Sequence, residues 1–387
     1  MEFIGALIDN SLFVISLAVL TGILIGRLEI KGFRFGISGA LFAGLVFGHF
    51  GATVPREYFI LSLGLFVAAV GLMAARDIGG VIKAHGFKFI AAGFFMATVA
   101  AILTYIGAQT LGTIGIVDPK YIEGVFTGAL TSSPGLGAQL EGVGDTVGDQ
   151  ITIGYSVAYP LGVVMVILLQ ELWPRFRDID LEEEKKKFKK TIETNSSKGV
   201  EKTTKESVTF SVAGFTLAVV LGGILGEIPI PLGPLGTTQL GITGGILPAA
   251  LAVGYFGKIG PIKTNMSHEV LSGIRSLALA FFLAYVGIDA GSGFAGAVME
   301  VGVVLILITL LVGIGTIAAG LFLLRKIWDL DWIVTSGAIT GGMTSTPGLG
   351  AAIKATGTED VGSGYGSTYP SALLGMVIFA RILSILI

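Results

Sequence analysis

Cysteine is missing altogether from the 387 residues. Its absence excludes disulfides, thiol nucleophiles and thiolate metal sites. Histidine occurs only three times, at the scattered positions His49, His85 and His268, which leaves no histidine-rich metal centre to consider. Charge is scarce. Only 13% of residues are charged, about half the ~25% of an ordinary soluble domain, so a soluble enzyme is excluded. The 25 Lys+Arg against 27 Asp+Glu, a formal net charge of −2, supply no basic field for nucleic acid. The chain also lacks H-E-x-x-H, G-x-S-x-G and G-x-x-x-x-G-K-[ST], so it is expected not to be an enzyme, either as an intramembrane protease or as an ATP-driven pump. Glu2 and Asp9 stand where a cleavable signal peptide would be positive. In place of all this, 52% of residues are hydrophobic, 59 are glycine and the mean hydropathy is +0.84. The composition is that of a polytopic membrane protein.

Uncharged apolar stretches of about 20 residues are long enough to span a bilayer as helix. They occupy 10–26, 35–55, 58–75, 89–117 and 150–170, and then 207–226, 239–257, 276–288, 301–324 and 361–380. The runs are continuous rather than alternating, which sets a β-barrel aside. Between the two sets, 174–206 carries a dense mixture of Lys, Arg and Glu, including Glu182–Glu184 and Lys185–Lys187. It reads as a solvated connector with one short helix around 181–190. The implied organisation is a first membrane repeat at 1–172, a charged cytoplasmic linker at 173–207 and a second membrane repeat at 208–387.

The halves repeat each other. Thr131-Ser132-Ser133-Pro134-Gly135-Leu136-Gly137 returns as Thr344-Ser345-Thr346-Pro347-Gly348-Leu349-Gly350. Gly154-Tyr155-Ser156-Val157-Ala158-Tyr159-Pro160 returns as Gly364-Tyr365-Gly366-Ser367-Thr368-Tyr369-Pro370. Leu65–Gly71 matches Phe281–Gly287, and Gly36–Gly39 matches Gly241–Gly244, all in the same order at offsets between 205 and 216. A duplicated membrane chain with Gly/Pro-interrupted segments at matching positions has the sequence mark of a secondary transporter.

Charge then sets the topology. Treating 124–140 and 332–353 as re-entrant hairpins gathers Arg27/Lys31/Arg34, Arg76/Lys83/Lys88, Lys258/Lys263/Arg275 and Arg325/Lys326 on the linker side. Making them cross puts Arg76/Lys83/Lys88 outside, against the positive-inside rule. The expected fold class is therefore an all-α polytopic membrane protein: two inverted repeats of five transmembrane helices, each with a re-entrant Ser/Thr-Pro-Gly hairpin, both termini outside. Hairpins entering from opposite faces bring their tips together near the midplane, where half-helix dipoles and irregular backbone make a substrate site.

The candidate site comprises Thr131, Ser132, Ser133, Pro134 and Gly135 with Thr344, Ser345, Thr346, Pro347 and Gly348. To these are added Tyr155, Ser156 and Tyr159 with Tyr365, Ser367 and Tyr369 from the helix after each hairpin. The tyrosines either pack, with their hydroxyls on carbonyls freed by Pro160 and Pro370, or wall the site opposite the tips. Gln139 and Glu141 either line an access path or cap the half-helix. Arg76, Asp77 and Asp289 are expected at helix ends on the interface. The Gly-x-x-x-Gly pairs Gly44/Gly48, Gly222/Gly226 and Gly337/Gly341 read as close-packing devices. No cofactor or metal is called for beyond a coupling Na+ or H+. The expected partners are a small anionic or zwitterionic substrate, the lipid bilayer and a second copy in a homodimer, with no nucleic acid.

These residues are similar to a known family. Gly36-Ile37-Ser38-Gly39 through Gly48-His49-Phe50, Gly64-Leu65-Phe66-x-x-x-x-Gly71-Leu72, Gly128-Ala129-Leu130-Thr131 with Pro134, Tyr155–Pro160 and their second copies resemble the aspartate:alanine exchanger family of secondary transporters. The resemblance covers nearly all of both halves. It implies exchange of small carboxylates or amino acids across the cell (inner) membrane, by alternating access of elevator type. An ion channel or a cation/proton antiporter on the same scaffold is the alternative. The asparagine common in the family hairpin is Ser132 and Ser345 here, and a short linker stands where many relatives carry two soluble regulatory domains.

Overall fold

The computed structural model describes residues 10–28, 36–85, 87–141, 143–196, 209–231, 237–239, 241–358 and 360–387. Nearly everything described is helix. The first half runs α1 (Ser11–Gly26), a 3-10 turn at Gly36–Ser38, α2 (Gly39–His49), α3 (Glu57–His85), α4 (Lys88–Thr113), α5 (Pro119–Ala129), α6 (Ser133–Leu140) and α7 (Asp145–Phe176). After α8 (Leu181–Ser196) the second half runs α9 (Val212–Gly226), α10 (Gly241–Phe256), α11 (His268–Leu321), α12 (Trp332–Gly342), α13 (Thr346–Thr356) and α14 (Val361–Leu386). Two minimal antiparallel ribbons, β1 (Pro229–Pro231) with β2 (Thr237–Gln239) and β3 (Lys258–Ile259) with β4 (Ile262–Lys263), flank α10. Among the described residues five helices are long and apolar enough to cross a membrane, and four apolar helices are shorter. The chain is an all-α membrane protein.

Small residues let the helices approach to backbone contact, and this places the site. A Cβ added at Gly48 of α2 would lie 2.0 Å from the Ile288 carbonyl oxygen of α11, and one at Gly287 would lie 2.2 Å from that of Leu41. The same contact recurs where Gly71 of α3 meets Leu247 and Ala250 of α10. All three Gly-x-x-x-Gly pairs make such close approaches: Gly222 on Ile246, Gly226 on Gly241, and Gly337 and Gly341 on Val361 and Tyr365. Because most of the apolar residues here face other helices or lipid, packing of this kind replaces a water-driven core as the source of order.

Two expectations are corrected. The segments 276–288 and 301–324, read as separate crossings with a loop near Asp289, form one 54-residue helix that continues through a π turn at Phe322–Ile327. At 1.5 Å per residue this is about 80 Å of helix, enough for both crossings of ~30 Å, so the correction is to the loop between them. Gly291, Gly293 and Gly296 each cost only about 1 kcal/mol relative to alanine and keep their N–H donors, so without a proline they do not end a helix. Asp289 is accordingly mid-helix, beside Arg56, Asp145 and Tyr285 in a small cavity of about 30 Å³; the side chains of Arg76 and Asp77 lie outside the described residues. The linker, read as wholly solvated, is docked along its first half. Leu181, Glu184 and Phe188 share one face of α8 at helical spacing, and Phe188 is buried. Glu184 pairs with Arg325 at 2.8 Å and accepts the Trp332 N–H at the start of α12. Helix α7 also carries on through Pro174 to Phe176. Residues 197–208 lie outside the described part.

Candidate functional site

Each Ser/Thr-Pro-Gly motif interrupts a helix in the same way. Helix α5 closes with the Thr131 N–H donating to the Gly128 carbonyl at 3.0 Å and the Ser132 N–H to that of Thr127 at 2.8 Å. Helix α12 closes with Thr344 donating to Gly341 at 3.0 Å and Ser345 to Thr340 at 2.9 Å. This paired termination needs a left-handed residue that is usually glycine. Here it is a threonine, with φ of 54° at Thr131 and 47° at Thr344. The next residue restarts the chain as an N-cap: the Ser132 hydroxyl accepts the Gly135 N–H at 3.3 Å, and the Ser345 hydroxyl that of Gly348 at 3.2 Å. Pro134 and Pro347 stand in the first turn, where a missing N–H costs nothing.

The two breaks touch. The Thr131 hydroxyl donates to the Met343 carbonyl at 3.1 Å, and the Thr344 hydroxyl to the Leu130 carbonyl at 2.7 Å. Behind each break the following helix supplies a tyrosine. Ser133 and Tyr155 share a hydrogen bond of 3.2 Å, and Thr346 and Tyr365 one of 3.3 Å. The rings continue in pairs, Tyr155 with Tyr159 at 5.4 Å and Tyr365 with Tyr369 at 5.1 Å. Tyr159 accepts from Ser38 at 2.7 Å. The hydroxyls of Tyr155 and Tyr365 therefore go to the breaks and that of Tyr159 to Ser38. Close glycine contacts hold these helices in place: a Cβ at Gly124 would lie 1.9 Å from the Ile151 oxygen, and one at Gly337 2.0 Å from that of Val361.

Of the residues expected at the site, Thr131, Ser132, Ser133, Tyr155 and Tyr159 gather on one side, and Thr344, Ser345, Thr346, Tyr365 and Tyr369 on the other. Pro134, Gly135, Pro347 and Gly348 shape the half-helices; a Cβ at Gly135 would press on Thr127 at 2.8 Å and one at Gly348 on Val166 at 2.4 Å. Ser156 is spent on its own helix, donating to the Thr152 carbonyl at 2.7 Å. Ser367 is buried in α14, outside the network of bonds at the tips.

The sides differ in exposure. Residues 131–140 are buried without exception, whereas Thr346 and Gly350 are exposed and Tyr365 half-buried. A brace that the motif gives no hint of explains part of this. Thr127 donates to the Gln139 side-chain oxygen at 2.6 Å, and the Gln139 amide donates to the Glu123 carbonyl at 2.7 Å, tying α6 back to α5. The residue equivalent to Gln139 in the repeat is Ala352. Glu141 caps the half-helix through its backbone, its N–H donating to the Gly137 carbonyl at 3.2 Å. Its carboxylate caps another helix, accepting the Thr243 N–H of α10 at 2.5 Å, and its second oxygen is without a hydrogen-bond partner among the described residues. Burial pushes this carboxyl, in the turn between α6 and α7, up to about 7. Arg381 of α14 donates to the Glu141 carbonyl at 2.6 Å and to the Gln239 carbonyl at 2.9 Å. Gln139 was expected on an access path or as a cap, whereas its bonds tie the two limbs together; Thr127, Thr243 and Arg381 were not among the sequence candidates, and the one available signal was that polar residues are rare inside apolar segments.

The arrangement offers hydroxyls, tyrosines and two half-helix dipoles to a small polar solute, without a formal charge at the tips. Comparison with known proteins agrees in kind. The family model described as Predicted Permease Membrane Region, that of the aspartate:alanine exchangers, matches residues 14–175 and again 214–385. Similar curated proteins include uncharacterized transporters of Desulfotalea psychrophila, 24% identical over 539 positions with 97% of each chain covered, and of Bacteroides fragilis, 23% identical over 534 positions with 98% of each covered. A shorter stretch, 42% of this chain and 29% of the relative, is 31% identical to an uncharacterized transporter of Rhodopirellula baltica. The full-length alignments exceed the 387 residues of this chain, so those relatives hold segments that it lacks.

Proposed function

The chain belongs to the aspartate:alanine exchanger family, a family of membrane permeases, and from that premise we propose that it is a secondary active carrier of small carboxylates or amino acids. The observation that carries the proposal is the pair of reciprocal threonine–carbonyl bonds joining the two helix breaks. Two breaks equivalent in sequence, in contact and polar amid apolar helices have the form of a midplane substrate site in a carrier built from inverted repeats. In this reading the repeats are residues 1–172 and 208–387, the breaks are re-entrant hairpins, the linker is cytoplasmic and both termini are outside. The substrate is a small anion or zwitterion held by Ser133, Thr346, Tyr155 and Tyr365 at the half-helix dipoles, with Na+ or H+ as the coupling ion. The unequal exposure of the two tips corresponds to a one-sided state. Exchange of the two conformations, with α5–α7 and α12–α14 sliding as one core against a dimeric scaffold of α1, α2, α9 and α10, opens the other side.

The test is transport in proteoliposomes. Uptake of labelled amino acids or dicarboxylates should saturate and be accelerated by internal counter-substrate, and Ser133→Ala with Thr346→Ala should raise the half-saturating concentration while the protein remains folded. Flux that neither saturates nor counter-flows would replace the carrier with a channel. Wild-type affinity in the double variant would move the site elsewhere.

A further inference from the structure

A second cavity lies away from the helix breaks, between the last turns of α7 and of α11. Its volume is about 1080 Å³, above the ~300–1,000 Å³ of ordinary small-molecule pockets. Leu168, Leu172 and Phe176 form one wall at helical spacing, and Ile314, Ile317 and Leu321 the facing one. The two helices are in contact at Met165 and Gly313, where a Cβ would meet the methionine at 2.1 Å, and the cavity lies on the linker side of that contact. This apolar wedge ends in a polar rim of Arg177, Arg325, Lys326 and Asp329. Arg325 is committed to Glu184 at 2.8 Å. Arg177, stacked on Trp173 at 5.7 Å, and Lys326 are exposed. The π turn at Phe322–Ile327 carries Arg325 and Lys326 to the rim, and π turns are frequent at functional sites.

We propose that this cavity is a binding site for one anionic phospholipid, its acyl chains between α7 and α11 and its phosphate against Arg177 and Lys326. A wedge on a bilayer-facing surface is filled by hydrocarbon, and basic pockets between membrane helices at the headgroup level select acidic headgroups. The chemistry is asymmetric, apolar along the helices and cationic at one end, which is the polarity of a lipid. A second copy of the chain would bring a second pair of cations toward the first across an isologous interface, so the lipid is the better-matched occupant.

The experiment uses the full chain in detergent, with phosphatidylglycerol or phosphatidylcholine added, followed by native mass spectrometry and thermal unfolding. Phosphatidylglycerol should be retained in preference to phosphatidylcholine by on the order of tenfold or more and should raise the melting temperature. Arg177→Gln with Lys326→Gln should abolish that preference while leaving the lipid-free melting temperature in place, and Ala318→Trp, which fills the wedge, should reduce retention of both lipids. Equal retention of the two lipids by the wild type, or a preference that survives the double charge variant, overturns the proposal. So does an Ala318→Trp protein whose oligomeric mass changes while its lipid retention does not, because the cavity would then be an interface between copies. Substrate transport is not the readout, so the result is independent of the reading of the helix breaks.

Discussion

Thr131 and Thr344 are β-branched residues with φ of 54° and 47°, in a region that costs such residues of order 1–3 kcal/mol. The hydrogen bond each makes to the opposite break contributes about 1 kcal/mol net. Strain and bond roughly cancel, so stability alone does not favour threonine over glycine at these positions, and the hydroxyl's placement at the junction of the breaks is the remaining reason. Thr131→Gly should therefore leave the melting temperature within a few degrees of wild type while substrate exchange falls by about tenfold; a variant that exchanges normally removes the hydroxyl from the mechanism. Glu141 gives the second residue-scale prediction. Burial raises its carboxyl from 4.5 to about 7, so between those values the folded state holds a proton that the unfolded state has released. The associated stability is present in full below pH 4.5 and is lost as pH rises toward about 7. Melting temperatures across that window should fall in the wild type and fall less in Glu141→Gln, whose side chain still accepts the Thr243 N–H. An unchanged slope would assign the titration to another group.

At the scale of the element, what separates the two breaks is the second limb. Helix α6 is held by the Thr127–Gln139–Glu123 chain of bonds, whereas α13 has Ala352 at the matching position and presents Thr346 and Gly350 to the surroundings. Because the chain has no native cysteine, single cysteines report this directly. Thr346→Cys should react rapidly with a small thiol reagent and Ser133→Cys slowly, and adding Gln139→Ala should bring the two rates together. Equal rates before the brace is removed would contradict the asymmetry. The breaks themselves were legible because Ser/Thr-Pro-Gly states its own backbone: a cap residue, a residue with no donor and a residue with no side chain. The brace was not legible, because Gln139 has no counterpart in the repeat and its partners lie on the other limb. The union of 276–288 with 301–324 into α11 escaped a reading based on charge and length, which marks where apolar runs pause but not whether the backbone stops there. Docking of α8 was hidden for a related reason: Glu184 and Phe188 lie within a charged run whose average composition is that of a solvated helix.

Across the whole molecule, the two halves share sequence but meet each other unequally. Ser38 and Thr243 occupy matching positions at the start of the second apolar helix of each half. Ser38 meets Tyr159, one turn past the tyrosine that bonds the first break. Thr243 instead meets Glu141, beyond the far end of α6, and not Tyr369, the residue equivalent to Tyr159. Equivalent points of the two halves thus rest on different residues of the first half. In the proposed alternating-access reading, a second arrangement has the two environments exchanged. Reaching it requires the Thr243–Glu141 contact to part, since α10 belongs to the proposed scaffold and Glu141 to the proposed core. Glu141→Cys with Thr243→Cys puts one thiol on each side of the contact in which the Glu141 carboxylate accepts the Thr243 N–H at 2.5 Å. Oxidising that pair should stop exchange and reducing it should restore exchange, with either single cysteine active under both conditions. If the oxidised pair transports as fast as the reduced one, α10 and the first break move together, and the division into moving and static parts fails.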